Sequence, residues 1–252
     1  MVDRNIKKLI NYNGLIMNKL MRKLLGKLNI VLASTLAVLM TGGLSGATYV
    51  LASSTSNFTQ TINAGTLAVD IVNGSYVTVG SPTMAMSAAT FSFACQTKTG
   101  LFGTASEVIY VSNPDAADAG WVVNLAASAP TGVWDSAGTD FDFNEAGSSG
   151  CVDDGATTDA DAFGGQMTVD PSVATLGVGQ CATCVVTNVS LGGSEAFVET
   201  TNNDIDIVTG AAGSDDIGDW TVIGVSISQK IPAEQAAASD YDINLVLSIS
   251  TL

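Results

Sequence analysis

Apolar and polar residues alternate near the end of the chain with the period of two that is typical of a β-strand. The apolar side of this pattern consists of Tyr241, Ile243, Leu245, Leu247 and Ile249. Except for Val246, the residues between them are Asp, Asn and Ser. The pattern predicts an antiparallel strand over residues 241–249 with one buried face.

Shorter stretches of the same kind predict the other strands. The alternating positions are Leu67, Val69 and Ile71 in one segment, and Thr221, Ile223, Val225 and Ile227 in another. Further strands are predicted over residues 57–62, 76–79, 90–94, 108–112, 121–125, 166–169, 184–189 and 205–208. Turn-forming residues, such as those at 113–115 and 231–233, separate these segments.

This succession of short strands predicts an all-β protein, an antiparallel β-sandwich or jelly roll. Residues that favour exposed helices are scarce after position 52, so long helices are not expected there. Residues 53–252 contain no internal repeat and no Pro-rich or Ser-rich linker. We therefore expect them to form a single domain.

The start of the chain has the composition of a secretory leader. Seven of the nine basic residues precede position 28, and an apolar run from Ile30 to Met40 follows. Small residues favour cleavage after Ala52, with Ala47 as the other option, so residues 1–52 are interpreted as a helical signal peptide. If uncut, the segment from Ile30 to Ala52 is long enough to anchor the protein in a membrane. We expect an extracellular or cell-surface protein.

Charge restricts the partners of this protein. Residues 53–252 retain two basic residues, Lys98 and Lys230, and 23 acidic ones, which gives a net charge of −21. Such a surface repels nucleic acid and anionic membranes, whose binding requires Lys and Arg. Divalent cations and basic polymers remain as partners, and the acidity also favours solubility.

Acidic residues are densest between Asp135 and Asp161, where no basic residue occurs. Carboxylate, amide and carbonyl oxygens are the ligands of Ca²⁺, and the uncompensated charges favour a cation there. The alternative is a solvated acidic surface loop. The predicted calcium ligands are Asp135, Asp140, Asp142, Asn144, Asp153, Asp159 and Asp161. In an extended segment 140–144, the three oxygen donors share one side and both Phe rings the other.

The chain has four cysteines: Cys95, Cys151, Cys181 and Cys184. An even number in an exported protein predicts structural disulfides. Three pairings are open, and one bridge considered, Cys151–Cys181, would tie the acidic loop to the next pair of strands. Redox chemistry or zinc binding at Cys181-Ala182-Thr183-Cys184 is the alternative, but the segment that follows predicts a strand and not the helix of a thioredoxin-like site.

Catalysis has little support in the sequence. The chain contains no histidine, which excludes a Ser-His-Asp triad and a His-ligated catalytic zinc. A secreted hydrolase that uses two carboxylates is a third-ranked alternative, and it requires a cleft with two close, buried acids. We expect a protein that is not an enzyme.

Three tryptophans, Trp121, Trp134 and Trp220, allow a different function. Exposed aromatic rings stack on sugars, so an adhesin or carbohydrate-binding module with a glycan or surface receptor as its partner is the second-ranked function. Ile223 and Val225 follow Trp220 closely, and this spacing favours core packing for Trp220.

Two segments after the leader carry a family resemblance. Asn57-Phe58-Thr59-Gln60 and Ala64-Gly65-Thr66-Leu67-Ala68-Val69 resemble the start of camelysin/TasA-type secreted bacterial proteins. The resemblance implies a jelly-roll fold and extracellular fibres in which the N-terminal strand of one subunit completes its neighbour.

The residues of the same segment agree with that implication. In an extended arm over residues 53–62, Phe58, Gln60 and Ile62 share one face, and such an arm is suited to pairing with a sheet edge. We therefore expect self-association and a structural role, as the subunit of an extracellular fibre or surface layer.

Overall fold

The structure, a computed structural model, describes residues 17–37, 60, 65–114, 119–128, 132–145, 150–153, 164–199, 201–215 and 217–252. The chain forms two compact units, Met1–Ile62 and Asn63–Leu252. Residues 17–37 of the first unit are helical. Within the described part of the chain, no helix combines the length and apolar character that a membrane span requires. The predicted arm at 53–62, apart from Gln60, and both proposed cleavage sites lie outside the described residues.

The second unit consists mainly of β-strands. In chain order these are β1 (Ala68–Val72), β2 (Gln96–Phe102), β3 (Val108–Asn113), β4 (Trp121–Ala127), β5 (Val133–Trp134), β6 (Phe141–Asp142), β7 (Gln166–Asp170), β8 (Thr175–Val178), β9 (Val189–Leu191), β10 (Glu195–Ala196), β11 (Asp204–Gly210), β12 (Gly218–Ile223), β13 (Val225–Ile231) and β14 (Leu245–Thr251). One turn of 3-10 helix, Pro171–Val173, follows β7.

The strands form three four-stranded sheets and one two-stranded sheet. The first sheet has the order β1-β3-β12-β8, the second β10-β7-β13-β2 and the third β14-β4-β11-β9, while β5 pairs with β6. All pairings among the described strands are antiparallel. The prediction of an antiparallel all-β protein with an N-terminal helix is confirmed at this level.

One continuous apolar core is shared by the three large sheets. Trp121 of β4 packs on Trp220 of β12 with ring centroids 5.2 Å apart, which joins the third sheet to the first. Phe143 and Phe197 meet edge to face, also at 5.2 Å. All four side chains are buried, so the prediction of core packing for Trp220 is confirmed.

Several sequence predictions agree with the observed strands. β14 has the predicted alternation of half-buried and exposed residues, although it begins at Leu245 and not at Tyr241. Strands were also predicted where β1, β3, β4, β7 and β11 occur. In β11, a bulge between Asp206 and Val208 places both Ile207 and Val208 in the core, which a strict period of two does not allow.

The predicted face Thr221, Ile223, Val225 and Ile227 is wrong in its first half. Gly224 has φ of +87° and separates β12 of the first sheet from β13 of the second. Before this corner, Trp220 and Val222 are the buried residues, and after it Val225 and Ile227 are. A left-handed φ suits glycine, since it has no Cβ. At Gly224 the chain passes from the first sheet to the second, and the buried positions change from even-numbered to odd-numbered residues.

Three short predicted strands are also wrong. Residues 76–79 form a turn and a single bridge, residues 90–94 are irregular, and residues 184–188 form a loop before β9. Phe91 and Phe93 are spaced like the apolar residues of a strand, but the two residues are 49% and 79% exposed. Their rings contact each other edge to face. β2, whose sequence is mostly polar, was not predicted.

The disulfides are Cys95–Cys151 and Cys181–Cys184. Structural disulfides were predicted correctly, but the bridge Cys151–Cys181 is wrong. Cys181 lies within bonding distance of Cys184 because the loop after β8 turns back on itself. Cys95, just before β2, forms its disulfide with Cys151.

The two disulfides should differ in their contribution to stability. Cys95–Cys151 joins residues 56 apart and Cys181–Cys184 joins residues 3 apart. From chain entropy, removing the long-range bridge by Cys95→Ala and Cys151→Ala should lower the free energy of unfolding by about 4 kcal/mol, against about 2 kcal/mol for Cys181→Ala with Cys184→Ala. Urea unfolding of both double variants measures this, and equal losses would contradict the ranking.

Candidate functional site

An apolar groove lies between β1 and β14, the outer strands of the first and third sheets. The two strands lie side by side without hydrogen-bonding to each other. The groove has a volume of about 550 Å³. Its wall combines apolar side chains with three acids, and it includes Val69, Ile71, Leu125, Ile227, Leu245 and Leu247 together with Asp70, Glu107 and Asp242.

The outer edge of β14 offers backbone groups for pairing. In an antiparallel ladder, the N–H and C=O of successive residues point to alternate sides. Leu252 donates to Gly120 O at 2.8 Å, on the side of β4, and the register along β14 is regular. The backbone groups of Leu245, Leu247 and Ile249 therefore point away from β4, and Leu245 and Leu247 line the groove. No described residue forms a backbone hydrogen bond with these outward-pointing groups.

The facing edge of β1 is partly covered. Val79 donates to Ile71 O at 2.8 Å, and Asp70 Oδ1 accepts the N–H of Ile71 at 2.8 Å. The Thr78 hydroxyl donates to the other oxygen of Asp70. These bonds cover the edge of β1 at Ile71. Two residues earlier, at Val69, no described residue outside the sheet forms a comparable hydrogen bond. An inward-facing Asp and a covering loop are common protections of a sheet edge.

Two of the predicted calcium ligands are buried. Asp142 and Asn144 are each 1% exposed, and Glu145 beside them is 3% exposed. Asp142 Oδ1 accepts the N–H groups of Phe143 and Asn144 at 2.6 and 3.3 Å. A Cβ on Gly165 would lie 2.0 Å from Asp142 O, so only glycine allows the chain to pass so closely. The segment 141–145 is thus part of the interior, not a solvated loop.

The half-buried Asp153 lies near this group. A Cβ on Gly164 would be 3.1 Å from Asp153 N, and Glu145 donates to Gly165 O at 2.9 Å. The backbone of Asp153 therefore lies close to Gly164. The next residue, Gly165, is hydrogen-bonded to Glu145, in the segment that contains Asp142. The predicted ligands Asp159 and Asp161 lie outside the described residues.

Asp135 and Asp140 make different contacts. Asp135 exchanges two backbone hydrogen bonds with Asp242, at 2.8 and 3.0 Å. Asp140 Oδ1 accepts from Ser136 N at 2.9 Å, which closes a tight turn. Among the described residues, no three carboxylates bring oxygens within 4.8 Å of one another.

Sequence reasoning missed Asp240, which belongs beside this turn. Its carboxylate accepts the N–H of Ala137 at 3.0 Å and the hydroxyl of Ser136 at 3.1 Å. These hydrogen bonds, with that from Ala137 the larger cause, hold the pKa of Asp240 below its usual value. The partners are about a hundred positions apart, and no local signal links them.

A buried carboxylate, Asp219 of β12, organises the loop that carries Cys181. Its Oδ2 accepts from the Tyr110 hydroxyl at 2.6 Å and from Gln180 N at 2.7 Å, and its Oδ1 accepts from Cys181 N at 2.9 Å. A Cβ on Gly179 would lie 2.5 Å from Oδ2. Asp219 therefore fixes residues 179–181, a role that depends on the pairing of β12 with β8.

The sulfurs of Cys181 and Cys184 and a carboxylate oxygen of Asp219 lie within 4.8 Å of one another. In the disulfide each sulfur is bonded to the other, so neither is the thiolate that a zinc site requires. In this oxidised form, the arrangement stabilises the loop.

Tyr110 is affected by the same carboxylate. Burial raises the pKa of Tyr110, and its hydrogen bond to Asp219 raises the pKa further. The neutral phenol is therefore favoured in the folded protein.

Comparisons with family models, with curated protein sequences and with solved structures found no match to this chain.

Replacing Tyr110 by Phe should destabilise the protein by about 1.5 kcal/mol at pH 7, since a hydrogen bond to a charged group is lost. The folded pKa of Tyr110 exceeds its unfolded value of about 10, so its contribution is complete below that pH and is lost as the pH rises through the folded pKa. Urea unfolding should show the difference between wild type and Tyr110→Phe shrinking above pH 10.

Tyr76→Phe provides the matched control, because the Tyr76 ring packs edge to face on Tyr110 at 5.3 Å. It should leave stability within about 0.5 kcal/mol of wild type. A difference between Tyr110→Phe and wild type that stays constant from pH 8 to pH 11 would contradict the role assigned to the phenol.

Proposed function

We propose that this chain is a secreted or cell-surface structural protein that assembles into an extracellular fibre or surface layer, with no catalytic role. The observation that carries the proposal is the apolar groove between β1 and β14. Two disulfides agree with an oxidising compartment, as expected for an exported protein.

Residues 53–62 of a second copy are the proposed occupant of the groove. An extended arm there would bond to the free backbone groups of β14 and place Phe58 and Ile62 against the apolar wall. Fully burying such a side chain is worth about 1.5–3 kcal/mol. With this strand in place, the first and third sheets would form a closed sandwich of the jelly-roll type, which the resemblance to camelysin/TasA-type proteins also favours.

Calcium is proposed to order the acidic segment between Asp135 and Asp161. The support is the burial of Asp142 and Glu145, with the backbone of the half-buried Asp153 close to Gly164. Ca²⁺ binds six to eight oxygens, and Asn144, Asp159 and Asp161 are further donors in this segment.

Assembly should depend on the apolar face of the arm. In the full chain, Phe58→Asp places a charge in the groove and should abolish filaments or sheets seen by negative-stain electron microscopy in millimolar calcium. Thr59→Asp adds the same charge on the opposite face and is the matched control, which should still assemble. Deleting residues 53–61 should give a folded monomer.

Circular dichroism of each variant separates lost assembly from lost folding. Filaments of normal length from the deletion variant, or equal loss of assembly in Phe58→Asp and Thr59→Asp, would exclude this mode of association.

Calcium should raise the melting temperature of the wild-type protein. At a hundred times its dissociation constant, a ligand stabilises the folded state by about 2.7 kcal/mol. Asp142→Asn should abolish this shift, whereas Asp206→Asn, in an exposed residue bonded to Asn124, should retain it. A melting temperature that does not respond to calcium between 0.01 and 10 mM would reject the site.

A further inference from the structure

Two cysteine sulfurs and a carboxylate form the one group of three metal-binding side chains that the described part of the chain brings together. The Sγ atoms of Cys181 and Cys184 and a carboxylate oxygen of Asp219 all lie within 4.8 Å of one another. In the oxidised protein the two sulfurs form a disulfide. A chain is synthesised with thiols, however, and a deprotonated thiol is a zinc ligand. The loop therefore has a different chemistry before the disulfide forms.

The spacing of the two cysteines suits one metal ion. Two residues, Ala182 and Thr183, separate them, and this spacing is common in zinc-binding loops. Their Cα atoms lie 5.4 Å apart. A tetrahedral Zn²⁺ with Zn–S bonds of about 2.3 Å holds two sulfurs about 3.8 Å apart. Both side chains reach one such ion from these backbone positions.

Hydrogen bonds that do not involve the disulfide hold both ends of the loop. At one end, Asp219 Oδ1 accepts from Cys181 N at 2.9 Å. At the other end, Asp215 Oδ2 accepts from Val185 N at 2.8 Å, and Trp220 Nε1 donates to Val185 O at 3.0 Å. Without the Sγ–Sγ bond, these contacts keep the two cysteines side by side.

A third ligand and a path for the ion are present. Asp219 Oδ1 accepts no second hydrogen bond from the described residues, so it retains a lone pair for a metal. Cys181 and Cys184 are half-buried, and Ala182 and Thr183 between them are exposed. An ion therefore reaches the sulfurs from solvent, and water supplies the fourth ligand of a tetrahedron.

The charges around this loop favour a cation. Two thiolates beside the Asp219 carboxylate give three negative charges, and Asp215 lies next to the same loop. The two lysines of residues 53–252, Lys98 and Lys230, belong to β2 and β13 of the second sheet, whereas Asp219 belongs to the first. A divalent cation offsets the repulsion among the three ligands.

We propose that the thiol form of this loop binds Zn²⁺ through Cys181 Sγ, Cys184 Sγ and the Asp219 carboxylate. Binding releases the two thiol protons to solvent, and the sulfurs bind as thiolates. Formation of the disulfide removes both sulfur ligands, so the metal and the disulfide exclude each other. Thiolates select Zn²⁺, whereas Ca²⁺ prefers oxygen ligands, which separates this site from the acidic segment 135–161.

Titration of the full chain with Zn²⁺ against a chromogenic chelator tests the proposal, after reduction of the cysteines by a phosphine. The reduced protein should bind Zn²⁺ more tightly than the oxidised protein. Residues that only hydrogen-bond to a metal ligand already change metal affinity by about 10–100-fold, so Asp219→Asn should weaken binding by at least about tenfold. Asp215→Asn removes a neighbouring acid that is not a ligand, and this matched control should change the affinity by less than about threefold.

X-ray absorption at the zinc edge identifies the ligands independently of affinity. The zinc-loaded, reduced protein should show two sulfurs at about 2.3 Å and oxygens at about 2.0–2.2 Å. Cys181→Ser should remove one sulfur from this spectrum, whereas Cys95→Ser should leave it unchanged.

Circular dichroism of the reduced protein, with and without Zn²⁺, checks that the strands are retained. The proposal is overturned if the oxidised protein binds Zn²⁺ as tightly as the reduced one, if four sulfurs surround the ion, or if Asp219→Asn and Asp215→Asn bind equally well. Loss of β-structure on reduction that Zn²⁺ does not restore also overturns it. None of these measurements depends on assembly or on calcium, so this proposal and the fibre proposal fail separately.

Discussion

The packing of Trp121 against Trp220 determines how the sheets of this protein are arranged. These rings come from different sheets and fill the centre of the core. Sheets held together by side chains need not share backbone hydrogen bonds at their edges. As a result, β1 and β14 lie next to each other without pairing, and the outer edge of β14 forms no backbone hydrogen bond with any described residue. The same core therefore stabilises the domain and leaves a seam between β1 and β14.

The sequence was informative where one face of a strand is buried and the other exposed. β14 follows from the spacing of its apolar residues, because period-two alternation reflects burial directly. β2 was missed because it is a polar strand, held in place by its register with β13. Phe91 and Phe93 gave a false signal, since alternation does not specify what the apolar face packs against.

The candidate sites were harder to predict because their parts come from distant segments. The composition of residues 135–161 indicated a cation site, but it did not distinguish the buried Asp142 from Asp135, whose neighbour is Asp242. No sequence feature distinguishes Asp219 from the other acids near strands. It holds the loop at Cys181 only because the pairing of β12 with β8 brings the two residues together.

The small ring closed by Cys181 and Cys184 has a consequence for oxidative folding. Closing a short loop costs little chain entropy, so these two thiols meet at high effective concentration before the sheets have formed. Once they are joined, Cys95 and Cys151 are the only thiols left in the chain, and the two mispaired isomers are no longer accessible by simple oxidation. The bridge that adds less to the final stability thus determines the pairing of the other two cysteines, because it reduces three possible pairings to one.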